Sequence, residues 1–281
     1  MKRIGSALIG APLLILFILK AHILLFIALI LVCITLGLKE FYQLLEYQKI
    51  YCFKYLGIVL GVLLSLLFAL CSPDPMILCF GLTAIIISLF LRALSLPAHA
   101  LGQDIHADYM KKLNQSIGGT LIGILYVSLC LSHLILIRCM DHGRSLILFL
   151  LIVIWSCDIG AYYTGTLIGK HLLCPHISPK KTIEGSIGGL ISSLLSAQLM
   201  RPFWCPQVSV VSCFLLSCCI AVGAQFGDLS ESIIKRSAEV KDTGMIIPGH
   251  GGLLDRIDSL LFGAPVFFYY NYYSALIFKG R

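Results

Sequence analysis

The sequence predicts an all-α integral membrane protein with about nine transmembrane helices and two polar loops on its cytoplasmic face. Three observations carry that prediction. Of 281 residues, 58% are apolar and only 12% are charged, about half the charged share of a soluble domain. Mean hydropathy is +0.94, and at about 20 residues per crossing the apolar content would fill roughly eight helices. The apolar residues come in unbroken runs, not in the alternation of an outer-membrane barrel. A soluble enzyme, a disordered chain and a fibrous protein are excluded on the same grounds.

The runs fall at residues 4–19, 22–38, 55–71, 76–91, 117–137, 145–163, 186–200, 207–226 and 259–278. The first follows a basic Met1-Lys2-Arg3, but no small-x-small cleavage site comes after it, so it is read as an uncleaved helix. With the amino terminus inside, the 21 Lys and Arg divide 15 to six in favour of the cytoplasmic side. The net charge of +7 therefore reads as membrane orientation, and no nucleic-acid partner is expected. Outer connections are short: Ser72-Pro73-Asp74-Pro75 is a turn, and Arg201 to Pro206 is a Pro-bounded hairpin with Trp204 at the interface. Inner loops 164–185 and 227–258 are long and polar. The chain reads as one polytopic domain, 1–281, with an apolar helical half at 1–145 and the chemistry at 146–281. The 12 cysteines lie mostly inside apolar runs without a Cys-x-x-Cys, and read as small buried hydrophobes.

The richer loop runs from Gly227 to Asp258. Asp228 stands where one apolar run ends, and Asp255 and Asp258 where the next begins. Carboxylates at a membrane boundary are expensive unless paired or bound to a cation. Asp255 and Asp258 are i, i+3 and share a helix face. With Asp228 they suit Mg²⁺, which takes one or two protein carboxylates and leaves its other positions to water and phosphate. Lys235, Arg236, Lys241 and Arg256 suit phosphate oxygens. His250, in Pro248-Gly249-His250-Gly251-Gly252, is either a phosphate donor or a turn-fixing side chain.

In the other loop, Asp158 falls inside an apolar run, which marks it as a functional candidate; a hydrogen bond to Tyr162 is the alternative. Ser178, Lys180, Lys181 and Thr182 offer hydroxyl and ammonium donors just before a helix start, where free N–H groups also favour phosphate. Gly165 to Lys170 is not a P-loop, because it has three residues between its glycines and His171 replaces Ser or Thr. The small-xxx-small pairs Gly57/Gly61, Gly119/Gly123, Gly165/Gly169 and Gly185/Gly189 read as helix-packing sites.

The run from Ser232 to Asp258 resembles the signature of the bacterial-type phosphatidate cytidylyltransferases (CDP-diacylglycerol synthases): Ser-x-apolar-Lys-Arg, Lys-Asp, Pro-x-His-Gly-Gly, then Asp-Arg-apolar-Asp. Asp158 to Tyr163 and Ser178 to Gly185, with Glu184, are similar to the family's other shared segments, Ile183 standing where an aromatic is frequent. The resemblance implies a nucleotidyltransferase of phospholipid biosynthesis, joining CTP to phosphatidic acid to give CDP-diacylglycerol and pyrophosphate. It implies Mg²⁺ on Asp228 and Asp255, with a monovalent cation such as K⁺ nearby. Asp258, Lys241 and Asp158 join these as catalytic candidates. Ser178, Lys180, Lys181, Thr182, Glu184, Lys235, Arg236, His250 and Arg256 are substrate candidates. The expected setting is the bilayer of the cell membrane, active site on the cytoplasmic face, with a homodimer left open.

Two other classes share some of these features. A CTP-using lipid or polyprenol kinase would need the same cation and phosphate groups. A transporter would spread polar residues over several helices with inverted repeats, whereas here they concentrate in two inner loops. The Asp-Gly-x-x-Ala-Arg spacing of CDP-alcohol phosphotransferases is absent.

Overall fold

The computed structural model describes residues 2–70, 75–96, 106–204, 206, 208–244 and 251–279. They form ten α-helices: α1 (Lys2–Lys20), α2 (Ile23–Tyr47), α3 (Lys54–Leu70), α4 (Pro75–Leu94), α5 (His106–Gly123), α6 (Cys130–Cys139), α7 (Gly143–Ile168), α8 (Ile183–Trp204), α9 (Val210–Ser237) and α10 (Leu254–Lys279). A π-helical stretch, Ile124–Leu129, joins α5 to α6, giving one apolar span over Tyr109–Cys139. Where they fall among the described residues, the nine apolar runs lie largely on helical segments. Among the described residues, five helical segments are long and apolar enough to cross a membrane: Ile23–Tyr47, Met76–Leu94, Tyr109–Cys139, Gly143–Ile168 and Val210–Ser237.

The all-α expectation needs one amendment. Between α7 and α8 lies an antiparallel hairpin, β1 (Leu172–Cys174) and β2 (Ser178–Thr182), with Leu172 opposite Thr182 and Cys174 opposite Ser178. The Ile177 N–H donates to the Cys174 carbonyl at 3.1 Å, closing the turn around Pro175. At the end of β2 the Thr182 hydroxyl accepts from the Gly185 N–H at 3.1 Å and so starts α8.

Close backbone contact holds the second half together. A Cβ on Gly189 would lie 2.8 Å from the Cys157 carbonyl oxygen, and one on Gly185 would lie 2.9 Å from that of Ala161. Glycine therefore lets α7 and α8 touch along their backbones, as the small-residue spacing predicts. Ser193 seals the same seam by donating to the Val153 carbonyl at 3.0 Å. On its other side α8 exposes Ile187, Ile191, Leu195 and Leu199 at i, i+4, a stripe suited to a hydrocarbon solvent. The α7 carboxyl end, the hairpin, the amino ends of α8 and α10 and the carboxyl end of α9 meet at one end of the bundle.

Candidate active site

Five elements build a cavity of about 450 Å³ at that polar end, with Leu173 the contribution of β1. β2 contributes Ser178, Lys180, Lys181 and Thr182, α7 contributes Asp158 and Tyr162, and α8 and α9 contribute Ser186, Gln225 and Asp228. Lys181 Nζ lies 2.5 Å from Asp228 Oδ2 across the cavity wall. Gln225 ties three helices: its amide donates to the Ser186 carbonyl at 3.0 Å and contacts Cys157 Sγ at 3.5 Å, and the Ser186 hydroxyl meets its carbonyl oxygen. No hydrogen bond joins Asp158 to Tyr162 among those found for the described residues. Asp158 sits instead beside the Ser259 hydroxyl of α10, near Asp228.

Behind the cavity, Asp228, Glu231 and Asp258 each place a carboxylate oxygen within 4.8 Å of the other two. Gly227 makes this possible, since a Cβ there would collide with the Asp258 carbonyl oxygen and force α9 away from α10. Glu231 is fully buried. Its Oε2 faces Lys235 Nζ at 2.5 Å, while its Oε1 has no hydrogen-bond partner among the described residues. A buried carboxylate oxygen left open is costly unless a cation or ordered water completes it. Three converging carboxylates, one with an open oxygen, are a donor set suited to a hard divalent cation.

The sequence reading paired Asp228 with Asp255 as metal ligands, and the structure draws a different set together. Asp255, in the first turn of α10, has both oxygens engaged. Oδ1 meets Lys235 Nζ at 2.7 Å; Oδ2 accepts from the N–H groups of Thr243 and Gly252, each at 2.9 Å. Burial raises its pKa, but Lys235 and these N–H donors outweigh burial and hold the carboxyl below its ordinary value. Lys235, expected on substrate phosphate, is clamped between Glu231 and Asp255 with 14% of its side chain exposed.

Glu184, Arg236, Lys241 and Arg256 do not line the cavity. Glu184 accepts from the Lys170 and His171 N–H groups at 3.1 and 3.2 Å and pairs with His171 Nδ1 at 2.6 Å, pinning the turn into β1. The His171 ring, with the backbone donors, pulls its pKa down to about 2. Its carboxylate braces the hairpin and does not line the cavity. Arg236 donates to the Ile177 carbonyl at 3.3 Å and so fastens α9 to the hairpin turn. Lys241 and Arg256 are exposed, and His250 lies outside the described residues. Glu231 was missed by the sequence reading; its signal is the i, i+3 spacing from Asp228 at the end of an apolar run.

The profile of the Cytidylyltransferase family matches residues 1–274. The phosphatidate cytidylyltransferase of Bacillus subtilis is 34% identical over 236 residues, which is 84% of this chain and 85% of that protein. That of Staphylococcus saprophyticus is 43% identical over 146 residues, 52% of this chain and 55% of the relative. That of Haemophilus influenzae is 41% identical over 136 residues, 47% of each.

Proposed function

The chain belongs to the Cytidylyltransferase family, and from that premise we propose that it transfers the cytidylyl group of CTP to phosphatidic acid, giving CDP-diacylglycerol and pyrophosphate. The observation that carries this reading is the juxtaposition of a cavity lined by Ser178, Lys180 and Lys181 with the carboxylates of Asp228, Glu231 and Asp258. Ammonium and hydroxyl donors match phosphate oxygens, and the acids match the cation a nucleoside triphosphate brings or needs.

In the reaction an oxygen of the lipid phosphate attacks the α-phosphorus of CTP. The bond from that phosphorus to the bridging oxygen breaks, and pyrophosphate leaves in line. Lys180 and Lys181 bind and orient phosphate groups, and Ser178 donates a further hydrogen bond. Gln225 and Ser186 hold α7, α8 and α9 in register, so the donors on β2 stay fixed against the acids on α9. Mg²⁺ is the cation we assign to Asp228, Glu231 and Asp258, where it would neutralise phosphate charge. Asp255 secures Lys235 and the start of α10. A monovalent cation such as K⁺ beside this cluster belongs to the same reading. We place the polar end at the cytoplasmic face, with nine helices crossing the cell membrane, in keeping with the 15 to six division of Lys and Arg.

The test is pyrophosphate release by detergent-purified protein given CTP, phosphatidic acid and Mg²⁺, with each omitted in turn. Release that requires all three and leaves a CDP-lipid is expected. CDP formed on a diacylglycerol or polyprenol acceptor would replace the reading with a kinase, and no nucleotide turnover with any lipid would end it.

A further inference from the structure

Glu40 takes no part in the account above, yet it is among the most deeply buried charged side chains of the protein, 1% exposed near the carboxyl end of α2. Its Oε1 accepts from the Leu253 N–H at 2.9 Å and its Oε2 from the Leu254 N–H at 2.8 Å, across more than 200 residues of sequence. These are donors that the first turn of α10 cannot satisfy itself. A carboxylate there also complements the positive end of the helix. Glu40 Oε2 further meets the Thr243 hydroxyl at 3.1 Å. The contact is tight on both flanks: a Cβ on Gly244 would lie 2.8 Å from Oε1, and one on Gly252 would lie 2.7 and 2.8 Å from the two oxygens.

From Thr243 the connection runs to the acid cluster. The same hydroxyl lies 3.0 Å from Asp255 Oδ2, and having one proton it serves one carboxylate at a time. Asp255 holds Lys235, and Lys235 reaches Glu231. Were Asp255 to swing away, the Lys235 ammonium would be left to the acid cluster and would compete there with a divalent cation. Resting on the cytidylyltransferase reading and its Mg²⁺ site, we propose that Glu40 is a positioning residue for the reaction: it fixes the first turn of α10 and, through Thr243 and Asp255, holds Lys235 between Asp255 and Glu231 Oε2, so that Glu231 Oε1 stays open to the cation.

Direct Mn²⁺ binding to the detergent-purified full chain, read from the electron paramagnetic resonance of free Mn²⁺, tests this without relying on turnover. Glu40→Gln keeps the shape but turns one acceptor into a donor facing other donors. Its apparent dissociation constant for Mn²⁺ is expected to rise roughly 10- to 100-fold, as when a ligand's supporting partner is lost. Unchanged affinity overturns the proposal. So does a lowered Tm with unchanged affinity in the folded protein, since that would mean Glu40 only stabilises. If Glu40→Gln does not fold, Thr243→Val decides by the same measurement, and Thr243→Ser should recover the affinity that Thr243→Val loses. Wild-type protein run alongside with CTP and phosphatidic acid separates the two ideas: absent turnover defeats the cytidylyltransferase reading, while unaltered Mn²⁺ binding in both variants defeats Glu40 alone.

Discussion

Two buried polar regions, one at the meeting of α9 and α10 and one in the middle of the bundle, solve the problem of burial in opposite ways. In the middle, polar groups turn back on their own helices. Ser65 donates to the Gly61 carbonyl at 2.9 Å and Ser132 to that of Ser128 at 2.6 Å, and His133 Nδ1 meets the Leu129 carbonyl at 2.8 Å. Ser132 also reaches Ser65 Oγ across the interface at 2.9 Å. A helix interior has carbonyl lone pairs to spare, so a hydroxyl or a ring N–H is satisfied four residues back. It has no spare donor. A carboxylate must therefore recruit from elsewhere, and the acids at the other region do: Glu231 and Asp255 share Lys235, and Asp255 also takes N–H groups of the loop before α10. Among the described residues, the fully buried carboxylate oxygen that finds no protein donor, Glu231 Oε1, belongs to the group suited to a cation. The middle region also leaves atoms without a partner among the described residues, Ser128 Oγ and His133 Nε2. Those are neutral, and His133 is ringed by Phe68, Phe268 and Tyr269, so they cost far less than an anion would.

If that contrast is right, charge at the α9–α10 region is functional and polarity in the middle is architectural. Asp258→Asn should have the largest effect. It keeps the volume but removes a charge from the cluster, and several kcal/mol of transition-state stabilisation correspond to about a thousandfold in kcat. The variant should still be recovered from the membrane fraction as folded protein. Turnover near wild type at ordinary Mg²⁺ would remove Asp258 from the site. Next is Lys181→Ala, which deletes an ammonium from the cavity wall. A hydrogen bond to a charged group contributes about 1.5–3 kcal/mol, so the KM for CTP should rise roughly 10- to 100-fold with a smaller change in Tm. A protein lost from the membrane instead would make Lys181 a structural partner of Asp228 and nothing more.

The same physics explains what could be read in advance. Hydropathy located the helices because a segment suited to hydrocarbon must be apolar over its length: the apolar runs, where described, lie largely on helical residues, and five helical segments among the described residues are long and apolar enough to span a membrane. Asp158, Asp228 and Asp258 were visible because an acid inside such a run or at its edge is conspicuous. Glu231 was not, because Glu231 and Lys235 at i, i+4 look like an ordinary surface ion pair; only the close packing of α10 on Gly227 buries them. Asp255 and Asp258 share a face by spacing, but Cβ vectors lean toward a helix's amino terminus. In the first turn this sends Asp255 over the preceding loop and leaves Asp258 to the cluster. Glu40, next to Lys39 at the polar end of α2, has local context that points to solvent, and its partners lie more than 200 residues away. The hairpin escaped notice because three- and five-residue strands around Pro175 carry no alternation to read.

The smallest expected effect is the sharpest check on the comparison. Ser132→Ala removes a hydroxyl that is wholly buried and leaves Ser65 with its bond to the Gly61 carbonyl. The Ser128 carbonyl keeps its place in the helix ladder, so no charged group is uncovered. The loss should be about 1 kcal/mol of stability, the net worth of a neutral hydrogen bond, read as a small drop in Tm in detergent. Both kcat and the Mg²⁺ dependence should match wild type, because none of the atoms involved reaches the acid cluster. If Ser132→Ala instead lowered turnover as steeply as Asp258→Asn, the middle region would have to be coupled to the site, and donor-rich and acceptor-rich burial could no longer be told apart by function.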